Sequence, residues 1–184
     1  MKKAIILLLQ LVAINGTTQN AAQPIMHKTS IEGISKENRE KIIDKLNHIV
    51  ADISVLTADL KQAHWNIKGP DFISLHELFD KLEAALLPEV DLLAERIASL
   101  GGTVKGTVRA AAKNSDIKEY PLDIFDANKH LTNLAERHAQ LGKEARENIK
   151  IFEELGDMVT SDMFIDLANI LDKSLWFIEA HFQK

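Results

Sequence analysis

Five side chains able to bind a divalent cation fall at helical spacings near the middle of the chain. His64 and His76 lie in the stretch QAHWNIKGPDFISLHELFD, and Asp80, Asp91 and Glu95 follow. Imidazole nitrogen and carboxylate oxygen suit hard and borderline metals, and here they occur in segments that are otherwise apolar on one face. His76 and Asp80 are four residues apart, as are Asp91 and Glu95, so on a helix each pair shares a face. Asp91 follows Asp80 by about three turns, which puts the second pair on nearly the same stripe about 16 Å farther along the axis. Metal bonds to nitrogen and oxygen are about 2 Å long and paired ions sit about 4 Å apart, so neither one ion nor two can touch both pairs in one subunit. Either there are two sites, or one site is completed by another chain. If two such helices pack antiparallel across a two-fold axis, His64, His76 and Asp80 of one subunit meet Asp91 and Glu95 of its mate, and two identical mixed sites result. Taken alone, Asp91 and Glu95 are better explained by a solvated helix face. The five donors on one stripe are what point to metal, and iron, manganese and zinc all suit them.

Long amphipathic helices must position these groups. Ile42, Ile43, Leu46, Ile49, Val50, Ile53, Leu56 and Leu60 recur at steps of three and four, predicting a first helix from a Ser35 cap to just before Gly69-Pro70. A second runs from about Phe72 to the paired glycines Gly101-Gly102, with Pro88 kinking it near Ala84 without ending it. In an antiparallel hairpin, His64 near the end of the first helix and His76 near the start of the second stand at the same height. Residues 103–121 lose the period and read as a long connection carrying a short helix around Arg109 to Lys113. A third long helix is expected over about Asp126 to Leu155, and a fourth from Thr160 or Ser161 onward. Two short-looped hairpins joined by one long crossover define an all-α, ferritin-like four-helix bundle.

The chain has 184 residues, 46% hydrophobic and 27% charged, enough for one domain with a real core over 35–184. Absence of cysteine excludes disulfides, thiolate zinc sites and iron–sulfur ligation. A net charge of −5 argues against a body coated in nucleic acid. Residues 1–22 have Lys2 and Lys3, an apolar run from Ala4 to Ile14 too short to span a bilayer, and small residues at Asn20, Ala21 and Ala22. That is the layout of an export signal. Residues 23–34 are expected to form a flexible tail.

The stretch LKQAHWNIKGPDFISLHELFDKLEAALLPEVDLLAERIASLGG resembles the signature of the Dps family of mini-ferritins, the DNA-binding proteins from starved cells. LDKSLWFIEAHFQ resembles that family's C-terminal helix. The resemblance spans about Glu37 to Phe182. It implies that His64, His76, Asp80, Asp91 and Glu95 form a ferroxidase centre between two-fold-related subunits. It further implies a hollow homo-oligomer, a dodecamer, that oxidises Fe(II), usually with hydrogen peroxide, and stores the ferric mineral. By the same resemblance Trp65 lies beside the iron and intercepts radicals; an interface or core indole is the alternative. The family is cytoplasmic by default, which stands against the export signal. Glu-x-x-His, the pattern of larger ferritins, does not occur.

Asp157, Asp162 and Asp166 resemble the acidic residues lining the pores through which iron enters such shells. Charge complementarity to a helix N-terminus explains them equally well. His27, His48, His130, His138 and His181 form no comparable group and read as surface or satisfied core residues. The functional alternative is a DNA-compacting structural protein with a secondary metal site. The family's DNA binding commonly relies on a Lys-rich tail, whereas Ala22 to Arg39 carries only Lys28, Lys36 and Arg39, and losing Lys2 and Lys3 with a leader takes the charge to about −7. DNA binding is therefore expected to be weak or absent, with no membrane association of the mature chain.

Overall fold

The computed structural model describes residues 26–183, so the expected signal segment lies outside the described residues. Among the described residues there are five helices and no strand: α1 (Lys36–Asn66), α2 (Phe72–Ser99), α3 (Val108–Asn114), α4 (Ala127–Glu154) and α5 (Met158–Glu179). α1 packs along α2 and α4 along α5, and the segment between α2 and α4 carries α3 across α1. This is the expected bundle of two hairpins and a crossover. No described helix is long and apolar enough to cross a membrane.

Caps fix the boundaries. Ser35 Oγ accepts from the Asn38 amide at 3.1 Å, Thr107 Oγ1 from Ala110 at 3.3 Å, and Asp126 Oδ1 from Lys129 at 3.1 Å, each satisfying an N–H that the first turn leaves without a partner. α5 starts earlier than Thr160 because Asp157, beyond the left-handed Gly156, caps it by accepting from the Thr160 amide at 3.0 Å. α2 continues through Pro88, where one missing N–H costs a single backbone bond while Leu82, Leu86 and Leu93 stay buried on either side.

The core is a single cluster centred on the α1 stripe, with Phe79 from α2, Phe152 from α4 and Phe164 from α5 fully buried. Phe152 and Phe164 meet edge to face at 4.8 Å, which locks α4 to α5 where only Leu155, Gly156 and Asp157 separate their ends. The crossover is held by polar groups. Arg137 of α4, which is buried, donates to the Lys118 and Glu119 carbonyls at 3.0 and 3.2 Å and to Asp59 of α1 at 2.9 Å. Tyr120 lies under its guanidinium and bonds His130 at 2.8 Å.

The tail expected to be flexible is docked over its described part. The His27 amide donates to the Gly101 carbonyl at 2.6 Å, Thr29 Oγ1 to Ser99 at 3.0 Å, and Arg39 to the Ile31 and Ile34 carbonyls, while Met26, Ile31 and Ile34 pack on the core. Apolar residues at this spacing give the segment surface to bury, which a purely polar tail lacks. Gly101 has φ +87°, and a Cβ there would stand 2.7 Å from the His27 carbonyl oxygen; Gly33 has the same φ and open space around it. Gly33→Ala therefore reports left-handed strain alone, about 1–2 kcal/mol. Gly101→Ala adds a backbone clash and should cost at least about 1 kcal/mol more. Urea unfolding of the two variants checks this, and equal midpoints would show that the segment moves aside freely.

Candidate metal centre

His64 near the end of α1 and His76 near the start of α2 face each other across the hairpin, as their equal height predicts. Their rings stack at 3.6 Å between centroids with planes 20° apart. His64 Nδ1 bonds the His76 backbone carbonyl at 2.7 Å, and His76 Nδ1 bonds the His64 carbonyl at 2.8 Å. A carbonyl only accepts, so each Nδ1 carries the proton and donates. In the neutral ring Nε2 then holds the free lone pair, which is how metal-ligating histidines are oriented by their outer partners. One fixed backbone turn thus presets two imidazole donors.

Asp80, one turn after His76, lies 4.0 Å from His64 and is half exposed. Lys61 of α1 bonds it directly and also approaches Glu83 at 3.7 Å. The Lys61 hydrogen bond holds Asp80 below the ordinary carboxylate range, so the group is a ready anion. Lys61 is absent from the sequence reading; its position three residues before His64, on the same side of α1, is the signal that it would reach the same pocket.

Asp91 and Glu95 are exposed three to four turns farther along the unbroken α2, so within one chain they do not join the histidines. Trp65 is 69% exposed, and Phe72, Ile73, Leu87 and Leu92 add further exposed apolar side chains before and along α2.

The acidic trio divides. Asp157 is buried: it caps α5, and its Oδ1 accepts from Arg96 at 2.7 Å. Burial alone would push its pKa up, but the hydrogen bonds from Thr160 and Arg96 hold it below the ordinary value. Its carboxylate is thereby occupied inside the subunit, the cap that helix-dipole reasoning supplies. Asp162 and Asp166 are exposed on α5. Burial, followed by the charge of Asp166, raises the pKa of Glu89 on α2.

Two of the remaining histidines are core residues. His138 is fully buried with Nδ1 on the Leu134 carbonyl at 2.7 Å, and burial pushes its pKa down to about 4. His130 is held by Tyr120. His48 departs from the surface reading, because with Asp52 and Glu144 it forms, among the described residues, a group whose donor atoms all lie within 4.8 Å of one another. The sequence signal was present: His48 and Asp52 repeat the i, i+4 spacing of His76 and Asp80.

An all-helical bundle of two hairpins joined by a crossover defines the ferritin-like class. The model of the ferritin-like domain family matches residues 43–184. The DNA protection during starvation protein of Agrobacterium fabrum is 40% identical over 158 residues, covering 86% of this chain and 97% of its own length. Its namesake from Mycolicibacterium smegmatis is 32% identical, covering 86% of each. Among solved structures, Mycobacterium smegmatis Dps superposes with a TM-score of 0.82 at 32% identity, covering 86% of this chain and 96% of that one. DpsA14 from Streptomyces coelicolor gives 0.82 at 29%, covering 88% and 95%. The chain belongs to the Dps family, ferritin-like proteins of iron storage and protection.

Proposed function

We propose that this chain is a ferroxidase that removes Fe(II) with hydrogen peroxide, at di-iron centres shared by two-fold-related subunits, and mineralises the product inside a hollow dodecamer. The observation that carries the reading is the reciprocal clamp of His64 and His76, which leaves both Nε2 lone pairs for ligand use. Asp80 supplies the anionic donor on that side, and Asp91 and Glu95 of the partner supply the opposite wall. Fe(II) is the substrate. Peroxide takes two electrons, so two ferrous ions held together give one peroxide its full complement and release no hydroxyl radical. Trp65, adjacent to His64, would intercept stray oxidant. Asp162 and Asp166 would draw cations toward the shell.

The test is peroxide-driven Fe(II) oxidation by the purified oligomer, followed by absorbance of the ferric product. His64→Ala/His76→Ala should slow the initial rate by at least about tenfold to 100-fold, since loss even of an outer partner costs that much at metal sites. An unchanged rate in the folded variant would place the oxidation elsewhere.

Protection through iron removal, rather than DNA coating, accords with the net charge of −5 and the few cations before α1. In a mobility-shift assay at low salt, submicromolar protein should leave duplex DNA unshifted at neutral pH. A shift that disappears on deleting residues 1–40 would show a DNA-binding arm.

A further inference from the structure

The cluster around His48 lies near the middle of α1, about 24 Å of helix before His64. Asp52 anchors it. This side chain is fully buried, and its Oδ1 accepts from Ser115 Oγ at 2.5 Å and from the Asp116 amide at 2.8 Å, so it ties α1 to the end of α3. Its other oxygen, Oδ2, is buried and makes no hydrogen bond. His48 Nε2 stands 3.5 Å from that oxygen, 3.3 Å from Asp116 Oδ2 and 3.6 Å from Glu144 Oε1 of α4. These separations are longer than good charge-assisted hydrogen bonds, which run about 2.7–2.9 Å. They fit the three tetrahedral edges that would meet at His48, since donors bonded at about 2.0–2.2 Å to one ion stand about 3.3–3.6 Å apart. The His48, Asp52 and Glu144 donor atoms all lie within 4.8 Å of one another, and the exposed Asp116 carboxylate, outside that group, would have to turn inward to join them.

We propose that His48, Asp52 and Glu144, with Asp116 as fourth donor, form a second cation site. It would take a divalent first-row ion of tetrahedral preference, such as zinc, and tie the crossover to α1 and α4. Three carboxylates around one imidazole, with no thiolate, suit such an ion. Glu144 is held above its ordinary pKa first by burial and then by the charge of Asp52, a repulsion that a dication removes. His48 and Glu144 open on a cleft of about 280 Å³ also lined by Asp44, Lys45, Asn47, Lys105 and Asn148, which gives an ion a route in; Lys45 and Lys105 partly offset the negative charge, to which Asp44 adds.

Zinc titration by calorimetry on the metal-free His64→Ala/His76→Ala oligomer separates this site from the proposed oxidation centre, with cobalt(II) absorption as a probe of geometry. That protein should take up about one zinc per chain, and cobalt should give the intense visible bands of a tetrahedral site. Adding His48→Ala/Glu144→Gln should abolish both signals. Asp116→Asn, whose 79% exposed carboxylate has no packing role and whose amide still serves Asp52, should weaken zinc by tenfold or more. If the folded His64→Ala/His76→Ala oligomer binds no zinc, or if Asp116→Asn binds it unchanged, the cluster is an ion-pair network only and the proposal fails. In the wild-type background, His48→Ala/Glu144→Gln should leave Fe(II) oxidation unaltered; a parallel loss would assign the group to the oxidation centre and overturn its independence.

Discussion

Co-refolding a His64→Ala/His76→Ala/Asp80→Ala variant with an Asp91→Ala/Glu95→Ala variant should restore about a quarter of the Fe(II)-oxidising sites that each variant lacks alone. In either homo-oligomer every shared site is missing one wall, so both should be nearly inactive. In a mixed two-fold pair, one site receives both defective walls and the other both intact walls. Random equal assembly makes about half of the pairs mixed, and each has one of its two sites intact. The geometry behind this is the unbroken α2: Asp80 and Asp91 are separated by about 16 Å of continuous helix, too far for ions about 4 Å apart to bridge. Separately folded variants mixed afterwards are the control and should stay inactive. If mass spectrometry shows mixed oligomers that remain as inactive as either parent, the two walls do not meet across subunits.

The separation of the two pairs along α2 is legible in sequence because it depends only on helical rise, the most regular quantity in the fold. The helices were equally legible: the α1 stripe from Ile42 to Leu60 is buried almost residue for residue as its period demands. Ring orientation was not. Spacing places His64 opposite His76, but only backbone coordinates show each Nδ1 on the other's carbonyl, which decides which nitrogen is free. The start of α5 was misread because Asp157, Thr160 and Ser161 are all good caps, and a single left-handed Gly156 selects the first. The His48 group escaped for a different reason. Helical spacing pairs His48 with Asp52, but Asp116 of the crossover and Glu144 of α4 are brought to them only by tertiary packing. The docked segment 26–34 was hidden likewise, since its partners at Ser99 and Gly101 lie about seventy residues away along the chain.

Arg137 fixes the crossover at Lys118 and Glu119, and replacing it should carry the largest stability penalty of any single charge in the bundle. Arg137→Met removes bonds to Lys118, Glu119 and Asn133 and leaves Asp59 buried without its counter-charge, which costs about 3–5 kcal/mol at pH 8. The deficit should depend on pH in a defined sense. Burial already outweighs the guanidinium and holds Asp59 at about 6, against an ordinary value of 3.8. Removing the guanidinium raises it further. A carboxyl with a raised folded pKa stabilises the fold fully below its unfolded value, and that contribution is lost as pH rises through the folded value. The variant is therefore penalised less at pH 5 than at pH 8, by about 1.4 kcal/mol for each unit of further rise that falls within that interval. Asp59→Leu/Arg137→Met should recover a large part of the loss at pH 8, because no charge is then buried alone. Urea unfolding by far-ultraviolet circular dichroism at both pH values, at one protein concentration, measures all three proteins. A deficit equal at pH 5 and pH 8 would mean that removing Arg137 leaves the Asp59 pKa where it was, and that the guanidinium acts through its carbonyl contacts alone.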